Sequence, residues 1–450
     1  MPKMYNEPRS EAEIIMNQEK YGYFVLKMIL ILISSIVVGY LLLSLTYFIP
    51  ERFYDDREIG NAVGVFSVES EYPVEPFSGR RLDNFSDALM LSEAITYIEG
   101  KTPFEMAVET AYQSVDGVWG PMQAFIKLNT DESYKGTISS YSRYWNGYLL
   151  FLKPLFAFFT YSQIRNINTY VLFALLMAVI VLLYERTRNL LVPFLILILF
   201  LAPTAVVNSL HFSSDCYLML VGILLFLWNP HNIFQDRKNI YILFLLLGIW
   251  TSFLDLLSAP TISLTVLLCL VCENSYENDH TEKDSWKVVI TCAGMWFVGY
   301  AVMWSGKWVI ALCVQKQTFF DSLIYSIRFR SASVNEQGES IARLQGLARN
   351  IGTLFSIKYI NLVLAGTVCF YLRSLFMVRR DVAGTERRKE KKWRYVVPFA
   401  IPLLWMAVLS NQTYNHHWFT YRMLAPCVFC VLSVLSDAYQ NRMLAVRKES

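Results

Sequence analysis

Residues 24–47 read FVLKMILILISSIVVGYLLLSLTY, and this run decides the class of fold. A helix needs about 20 mostly apolar residues to cross a bilayer, and this run carries a single charge, at Lys27. A cleaved secretory signal has a shorter apolar core, followed by small residues at the cleavage site. The run therefore predicts an N-terminal signal anchor.

Similar apolar runs recur along the chain. Of its 450 residues, 54% are apolar or aromatic and 17% are charged, whereas soluble domains have about 45–50% and about 25%. A membrane β-barrel would alternate apolar and polar residues, and a net charge of +3 is too small to indicate a nucleic-acid partner. The composition excludes a soluble globular protein and a disordered chain, and it predicts an all-α polytopic protein whose partner is the lipid bilayer.

Ten apolar segments predict about ten transmembrane helices. The segments are residues 24–49, 167–184, 190–208, 216–229, 240–256, 259–273, 287–305, 357–377, 395–410 and 418–436. Cytoplasmic loops are enriched in Lys and Arg, and the strongest basic cluster lies at residues 379–394. With this cluster in the cytoplasm, the basic residues near both chain ends also fall there. The charge pattern predicts cytoplasmic N- and C-termini.

The short apolar segment 148–160 contains Lys153 and Pro154. Counting it as a span would break the charge pattern, so we predict a re-entrant or interfacial helix. The predicted organisation is a tail and first helix (1–49), a first long loop (50–166), helices 2–7 (167–305), a second long loop (306–356) and helices 8–10 with a tail (357–450).

The two long loops are expected on the extracytoplasmic side, and they differ in charge. Residues 50–146 carry sixteen Asp and Glu against eight Lys and Arg, whereas the second long loop carries six Lys and Arg against three acidic residues. Long loops on one side of a membrane protein commonly bind or react with a ligand. We therefore expect the functional site on this side.

Four carboxylates are candidates for this site. Asp83 and Asp87 are four residues apart, so on a helix they would share one face and supply a general base or hold a divalent cation. Alternatively both are solvated, or Asp83 caps a helix that begins at Asn84. Asp215 and Asp255 lie near the predicted outer ends of apolar segments, where carboxylates are costly and often functional, although Asp255 has the alternative of capping a helix.

Basic residues on the same predicted side point to an anionic ligand. His416, His417 and Arg422 lie in the last predicted outer turn, and Arg328 and Arg330 lie in the second long loop. Arginine binds phosphate through two parallel hydrogen bonds. These five residues are therefore candidates for binding a lipid phosphate.

Several other chemistries lack a motif. The sequence has no Walker loop, GxGxxG, HExxH or GxSxG pattern, so nucleotide-driven, zinc-protease and α/β-hydrolase functions have no support. Two CxxC pairs, Cys269/Cys272 and Cys427/Cys430, lie inside apolar segments. We interpret these cysteines as small buried apolar side chains.

The arrangement resembles the GT-C class of membrane glycosyltransferases, in particular the O-mannosyltransferase and aminoarabinose-transferase branches. The resemblance rests on the N-terminal span, the acidic long loop, the segment 148–168 (YLLFLKPLFAFFTYSQIRNIN) and the position of Asp215. Where those branches have an Asp-Glu pair, this chain has Asp83 and Asp87. The resemblance implies that Asp87 is the base, because an apolar helix-like run follows it.

The resemblance also implies a reaction. A sugar would pass from a polyprenyl-phosphate donor to a glycan or lipid acceptor, outside a bacterial plasma membrane and with inversion at the anomeric carbon. Asp83, Asp87 and Asp215 would be catalytic and Asp255 would bind substrate. Arg422, with Arg328 or Arg330, would stabilise the leaving phosphate. Some members of the class use a divalent cation such as Mg²⁺ or Mn²⁺, which Asp83 and Asp87 would bind here.

Three other functions remain open at this point. A polysaccharide polymerase or ligase would share the lipid-phosphate chemistry and is favoured by the basic second long loop. A transporter or flippase of lipid-linked saccharides would be expected to have ionisable residues at mid-membrane depth and an internal repeat, neither of which is apparent. The last is a membrane protein that recognises a partner through its first long loop.

Overall fold

The fold is described from a computed structural model of the chain. It describes residues 11–278, 282–330, 340, 343–377 and 394–449. Within these ranges the chain is mostly helical, with one small antiparallel sheet in which β1 (Tyr112–Ser114) pairs with β2 (Thr137–Ser139).

The helices fall into long apolar ones and short ones in the loops. In chain order they are α1 (Glu11–Thr46), α2 (Asp56–Val68), α3 (Asn84–Ile95), α4 (Pro103–Glu109), α5 (Pro121–Thr130), α6 (Leu149–Phe156), α7 (Tyr161–Arg186), α8 (Arg188–Leu201), α9 (Pro203–Val207), α10 (Leu210–Trp228), α11 (Arg237–Leu254), α12 (Thr261–Asn278), α13 (Glu282–Arg330), α14 (Arg343–Leu354), α15 (Lys358–Met377), α16 (Val396–Val408), α17 (Ser410–Asn415), α18 (His417–Thr420) and α19 (Ala425–Glu449). Short 3₁₀ helices are Glu51–Phe53, Pro230–Gln235 and Tyr421–Leu424.

Every one of the ten predicted apolar segments contains helix. Seven stretches in the described ranges are long and apolar enough to cross a membrane: Tyr21–Thr46, Tyr161–Arg186, Leu210–Trp228, Arg237–Leu254, Trp286–Gln315, Lys358–Phe376 and His417–Gln440. Three further apolar stretches, Arg188–Leu201, Thr261–Glu273 and Val396–Val408, are shorter. The chain is therefore an all-α, multi-pass membrane protein, while a count of ten spans stays a prediction.

Glycines allow the closest contact between two of these helices, α11 and α13. A Cβ at Gly248 would lie 2.0 Å from the carbonyl oxygen of Trp296, and a Cβ at Gly299 would lie 2.2 Å from that of Leu245. Membrane helices associate through such small residues, because lipid gives no hydrophobic drive for association. The two glycines hold α11, and hence Asp255 at its end, against α13.

The first long loop folds into α2–α6 and the small sheet, with its own apolar core. Ala88, Leu91 and Ala94 of α3 pack there with Phe66 of α2 and Phe125 of α5. This core fixes α3 in position, and α3 begins beside Asp83 and contains Asp87.

Two further predictions concern the short apolar segment and the second long loop. The short segment at 148–160 contains the eight-residue helix α6. In the second long loop, α13 continues as helix as far as Arg330, and α14 follows. Much of that loop is therefore helical.

The CxxC cysteines are buried between apolar helices. Cys269 Sγ of α12 lies 3.3 Å from Cys430 Sγ of α19, and both side chains are free thiols. Cys313 and Cys369, by contrast, are exposed.

Lys153 of α6 makes the stability of the protein depend on pH. Its side chain is fully buried, its Nζ donates to the carbonyl oxygen of Ala94, and it lies over the rings of Tyr47 and Tyr97 at 4.4 and 4.7 Å. Burial lowers the pKa of Lys153 from 10.5 to about 7. Between these two values the unfolded chain binds more protons than the folded one, so the free energy of unfolding rises with pH.

We expect the thermal midpoint of the protein in detergent to rise as the pH is raised from about 7 to about 10. Lys153→Met should reduce that rise, because methionine fills the site without a charge. The exposed Lys135→Met in the same loop should keep it. Equal pH dependence in the wild type and Lys153→Met would contradict this assignment.

Candidate functional site

The four predicted carboxylates meet around the first turns of α10. Asp83 precedes α3, Asp87 lies in its first turn, Asp215 lies in α10 and Asp255 directly follows α11. All four side chains are buried. Asp83 and Asp87 contact His211, the second residue of α10, which is not among the predicted site residues.

Asp83 has two roles at the start of α3. Its Oδ1 accepts from the Ser86 backbone N–H at 3.0 Å, so it caps the helix that begins at Asn84, as one of the two alternatives predicted. Its Oδ2 lies 2.8 Å from Nδ1 of His211. Burial by itself would raise the pKa of Asp83, but the hydrogen bonds from His211 and Ser86 outweigh it and hold the pKa below its ordinary value.

Asp87 ties the first long loop to α10. Its Oδ2 accepts from the Tyr161 hydroxyl at 2.6 Å and from the Leu210 N–H at 3.0 Å, and its Oδ1 accepts from the His211 N–H at 3.1 Å. The first N–H groups of a helix have no partner within it, so Asp87 satisfies two of them from outside. Burial raises the pKa of Asp87, and Arg165 and these hydrogen bonds offset part of the rise.

His211 has one occupied and one unoccupied ring nitrogen. Nδ1 faces Asp83, whereas the buried Nε2 has no hydrogen-bond partner in the structure. Its ring also contacts that of Phe419, with 5.8 Å between centroids. An unpartnered polar atom that is buried in a protein is costly, so Nε2 is available to a hydrogen-bonding group.

Asp215 and Asp255 form a second pair next to His211. The Ser258 hydroxyl lies 2.7 Å from Asp215 Oδ2 and 2.6 Å from Asp255 Oδ1, and the Ala259 N–H donates to Asp215 Oδ2 at 2.9 Å. The buried Oδ1 of Asp215 has no hydrogen-bond partner. Because Asp215 is four residues after His211, both unpartnered atoms belong to one face of α10.

Asp255 does not cap a helix at its N-terminus. It follows the last residue of α11 and accepts from the N–H groups of Leu257 and Ser258, at 2.9 and 2.8 Å. The next helix begins at Thr261. Asp255 therefore holds the turn between α11 and α12, and this turn presents Ser258 to Asp215.

Arg422 lies beside this cluster with part of its guanidinium unpaired. Its Nε donates to the carbonyl oxygen of Leu201 at 3.2 Å, and its guanidinium carbon lies 4.0 Å from the ring centroid of Phe212. The side chain is buried, and both Nη atoms lack a hydrogen-bond partner. Since Phe212 follows His211, Arg422 and the carboxylate cluster flank the same turn of α10.

An apolar groove borders Arg422 on the other side. It lies between α7, α8 and α10, is shallow with a cavity volume of about 30 Å³, and its lining includes Leu172, Phe173, Ile198, Leu201 and Cys216. Leu201 supplies the carbonyl that Arg422 contacts. A cationic group thus lies at the edge of an apolar groove.

The other predicted basic residues have separate positions. His417 Nδ1 lies 2.8 Å from the Thr353 hydroxyl, and the His416 ring stacks on Phe419 at 5.3 Å. Arg328 is exposed near the end of α13, and the side chain of Arg330 lies outside the described part of the structure. The structure thus brings His416 near His211 through Phe419, and it gives Arg328 no place in the contacts above.

Two further features were not expected as parts of the site. Arg165 contacts Glu69 at 2.9 Å and Asn84 at 2.7 Å, which anchors the start of α3 to α7. Half-buried Tyr72 and Trp418 meet edge to face at 4.8 Å, and Trp418 also contacts Phe212. Tyr72 and Trp418 therefore belong to an aromatic cluster that contacts the guanidinium of Arg422 through Phe212.

The Asp83 and Asp87 pair does not fit a divalent cation. All four carboxylate oxygens already have hydrogen-bond contacts, to Ser86, His211, Tyr161 and Leu210. In the described ranges no group of three or more His, Cys, Asp or Glu side chains is placed to hold a metal ion.

The site therefore offers an imidazole nitrogen, a carboxylate oxygen and two guanidinium Nη atoms without hydrogen-bond partners within a buried region. Such a set can accept a proton and stabilise an anion. Comparisons with protein-family models, curated proteins and solved structures give no match for this chain.

Proposed function

We propose that this protein is a membrane glycosyltransferase that moves a hexose or pentose from a polyprenyl-phosphate donor to a cell-envelope glycan or lipid. The observation that carries the proposal is Arg422, which is buried with both Nη atoms unpaired at the edge of an apolar groove. An anion with a long apolar chain complements both features at once.

The guanidinium favours phosphate as that anion. Its two free Nη atoms provide the parallel donors that a phosphate accepts. Water screens this interaction little at a buried site. The first isoprene units of the donor would then lie along the open apolar surface beside Leu201, and the rest of the chain would extend into lipid.

The carboxylate cluster and His211 supply groups that can accept the proton of the acceptor hydroxyl. A hydroxyl is a weak nucleophile, and a positioned group that accepts its proton contributes about 10²–10⁴-fold in rate. His211 and Asp215 present acceptor atoms without partners, and the residues that directly follow them, Phe212 and Cys216, border Arg422 and the groove. Tyr72 and Trp418 offer ring faces for the apolar face of a sugar.

The sequence resemblance to GT-C enzymes supports the same reaction. The arginine of the segment that carries the resemblance, Arg165, anchors α3 beside the site. The distribution of basic residues supports a plasma membrane location with the site on the extracytoplasmic face. In such an enzyme Asp87, Asp83 and Asp215 are the catalytic candidates, and Asp255 with Arg422 would bind the substrate.

The test is donor turnover by the purified protein in nanodiscs. A panel of mannosyl, glucosyl and arabinosyl polyprenyl phosphates, labelled in the sugar, is offered with water and with crude envelope glycans as acceptors. We expect one donor to lose its sugar, and nucleotide sugars to remain intact. Consumption of a nucleotide sugar alone, or of no donor at all, would overturn the proposal.

A further inference from the structure

His211 and Asp83 form a buried histidine–carboxylate pair in which the orientation of the imidazole ring is fixed. Nδ1 of His211 lies 2.8 Å from Oδ2 of Asp83, and the two side chains are 5% and 2% exposed. The backbone N–H of His211 is held by Asp87 at 3.1 Å. The ring is therefore fixed both through its side chain and through its backbone.

The hydrogen bonds of Asp83 determine which nitrogen of the His211 ring carries the hydrogen. The pKa of Asp83 lies below its ordinary value, because the hydrogen bonds from His211 and Ser86 outweigh the opposing effect of burial, so this carboxylate is ionised and only accepts. The hydrogen must then be on Nδ1, and in the neutral imidazole Nε2 carries a free lone pair. That lone pair belongs to the buried atom without a partner.

We infer that Nε2 of His211 takes the proton of the acceptor hydroxyl, with Asp83 and Asp87 as positioning residues. This inference rests on the proposed function and names the group that activates the acceptor. The acceptor oxygen bonds to the anomeric carbon as its proton passes to Nε2. The bond from that carbon to the phosphate oxygen breaks, its electron pair leaves with polyprenyl phosphate, and the imidazolium then returns its proton to water.

The neighbouring carboxylates favour this role for the histidine. Each oxygen of Asp87 already accepts at least one hydrogen bond, so a substrate hydroxyl would have to compete with these donors. Asp83 lies 2.8 Å from Nδ1 of His211, so it can stabilise the positive charge that the ring gains with the proton. The unpartnered oxygen of Asp215 lies one turn further along α10.

The test uses the donor of the panel that the wild-type protein consumes fastest. We expect His211→Gln to reduce transfer to water and to glycan acceptors by about 10²–10⁴-fold, the usual contribution of a general base. Asp83→Asn should reduce it by a similar factor, because its amide would donate to Nδ1 and place the proton on Nε2. The KM for the donor should stay unchanged in both variants.

Azide distinguishes loss of the base from loss of structure. Azide is a nucleophile without a proton to remove, so sodium azide should restore donor consumption by both variants, with a glycosyl azide as product. The control His231→Gln, an exposed histidine in the turn after α10, should behave as wild type.

Two outcomes would overturn the inference. Transfer by His211→Gln at the wild-type rate excludes the histidine as base, and failure of azide to restore either variant assigns the pair a structural role. If His211→Gln does not fold, Asp83→Asn decides by the same two criteria. Absence of turnover in the wild type would instead overturn the proposed function itself, a result distinct from the other two.

Discussion

Replacing Arg422 by methionine is expected to reduce kcat/KM for a polyprenyl-phosphate sugar by about 10²–10³-fold, the usual cost of losing a group that stabilises developing negative charge. Both Nη atoms are buried without a partner, and only Nε is used, toward Leu201. The loss should therefore appear in catalysis more than in folding. Initial rates over a range of donor concentrations, with thermal midpoints alongside, measure both.

Two further variants test whether the effect is specific to the guanidinium of Arg422. Arg422→Lys keeps the charge but loses the paired donors, so we expect an intermediate rate. Arg349→Met removes an exposed arginine that stacks on Tyr414 at 3.7 Å, and it should leave the rate unchanged. A folded Arg422→Met protein with the wild-type rate would show that the guanidinium does not bind the phosphate.

Replacing Asp87 by alanine should detach the first long loop from α10 and abolish activity. The change leaves the Tyr161 hydroxyl and the N–H groups of Leu210 and His211 without their acceptor. Each unsatisfied buried donor costs about 1–3 kcal/mol. The free energy of unfolding should therefore fall several times further than it does for an ordinary surface substitution. Hydrogen exchange at the start of α10 measures the effect directly.

The expected result is faster exchange of the Leu210 and His211 amides, with little change at the far end of α10. Asp116→Ala, which removes an exposed carboxylate of the same loop, should leave these amides protected. Unchanged protection in Asp87→Ala would mean that this carboxylate does not hold α10.

Much of the fold could be predicted from the sequence, because each long apolar run forms a helix in lipid regardless of its neighbours. The cap at Asp83 was also predictable, since a carboxylate before an apolar run is a common helix start. The continuation of α13 to Arg330 was not, because its later turns are too polar to stand out by hydropathy. Packing against the first long loop, for example through Lys307 Nζ and the carbonyl oxygen of Val108 at 2.8 Å, supports the helix there.

The site could be predicted only in part. Asp215 and Asp255 are predictable because carboxylates near a membrane boundary are costly, and Asp83 and Asp87 because a spacing of four places them on one face of a helix. His211 was missed, because its link to Asp83 joins positions 128 residues apart. The spacing of His211 and Asp215, one helical turn, was a signal in the sequence that would have found it.

The roles of individual predicted residues depend on partners that a sequence does not display. Asp87 was predicted as the base and stays a prediction, although three donors now occupy its carboxylate. Lys153 was noted only for its effect on the short helix, whereas the fold buries it among tyrosines. Tertiary contacts decide these roles, and local sequence does not.

The central claim is that the protein cleaves the bond between a sugar and a polyprenyl phosphate. The most direct measurement uses a donor labelled with tritium in the sugar and with ³²P in the phosphate, incubated with the protein in proteoliposomes. The account predicts that free polyprenyl [³²P]phosphate and transferred [³H]sugar appear in equal amounts. Movement of doubly labelled, intact donor across the bilayer without release of either product would contradict the account and indicate a flippase.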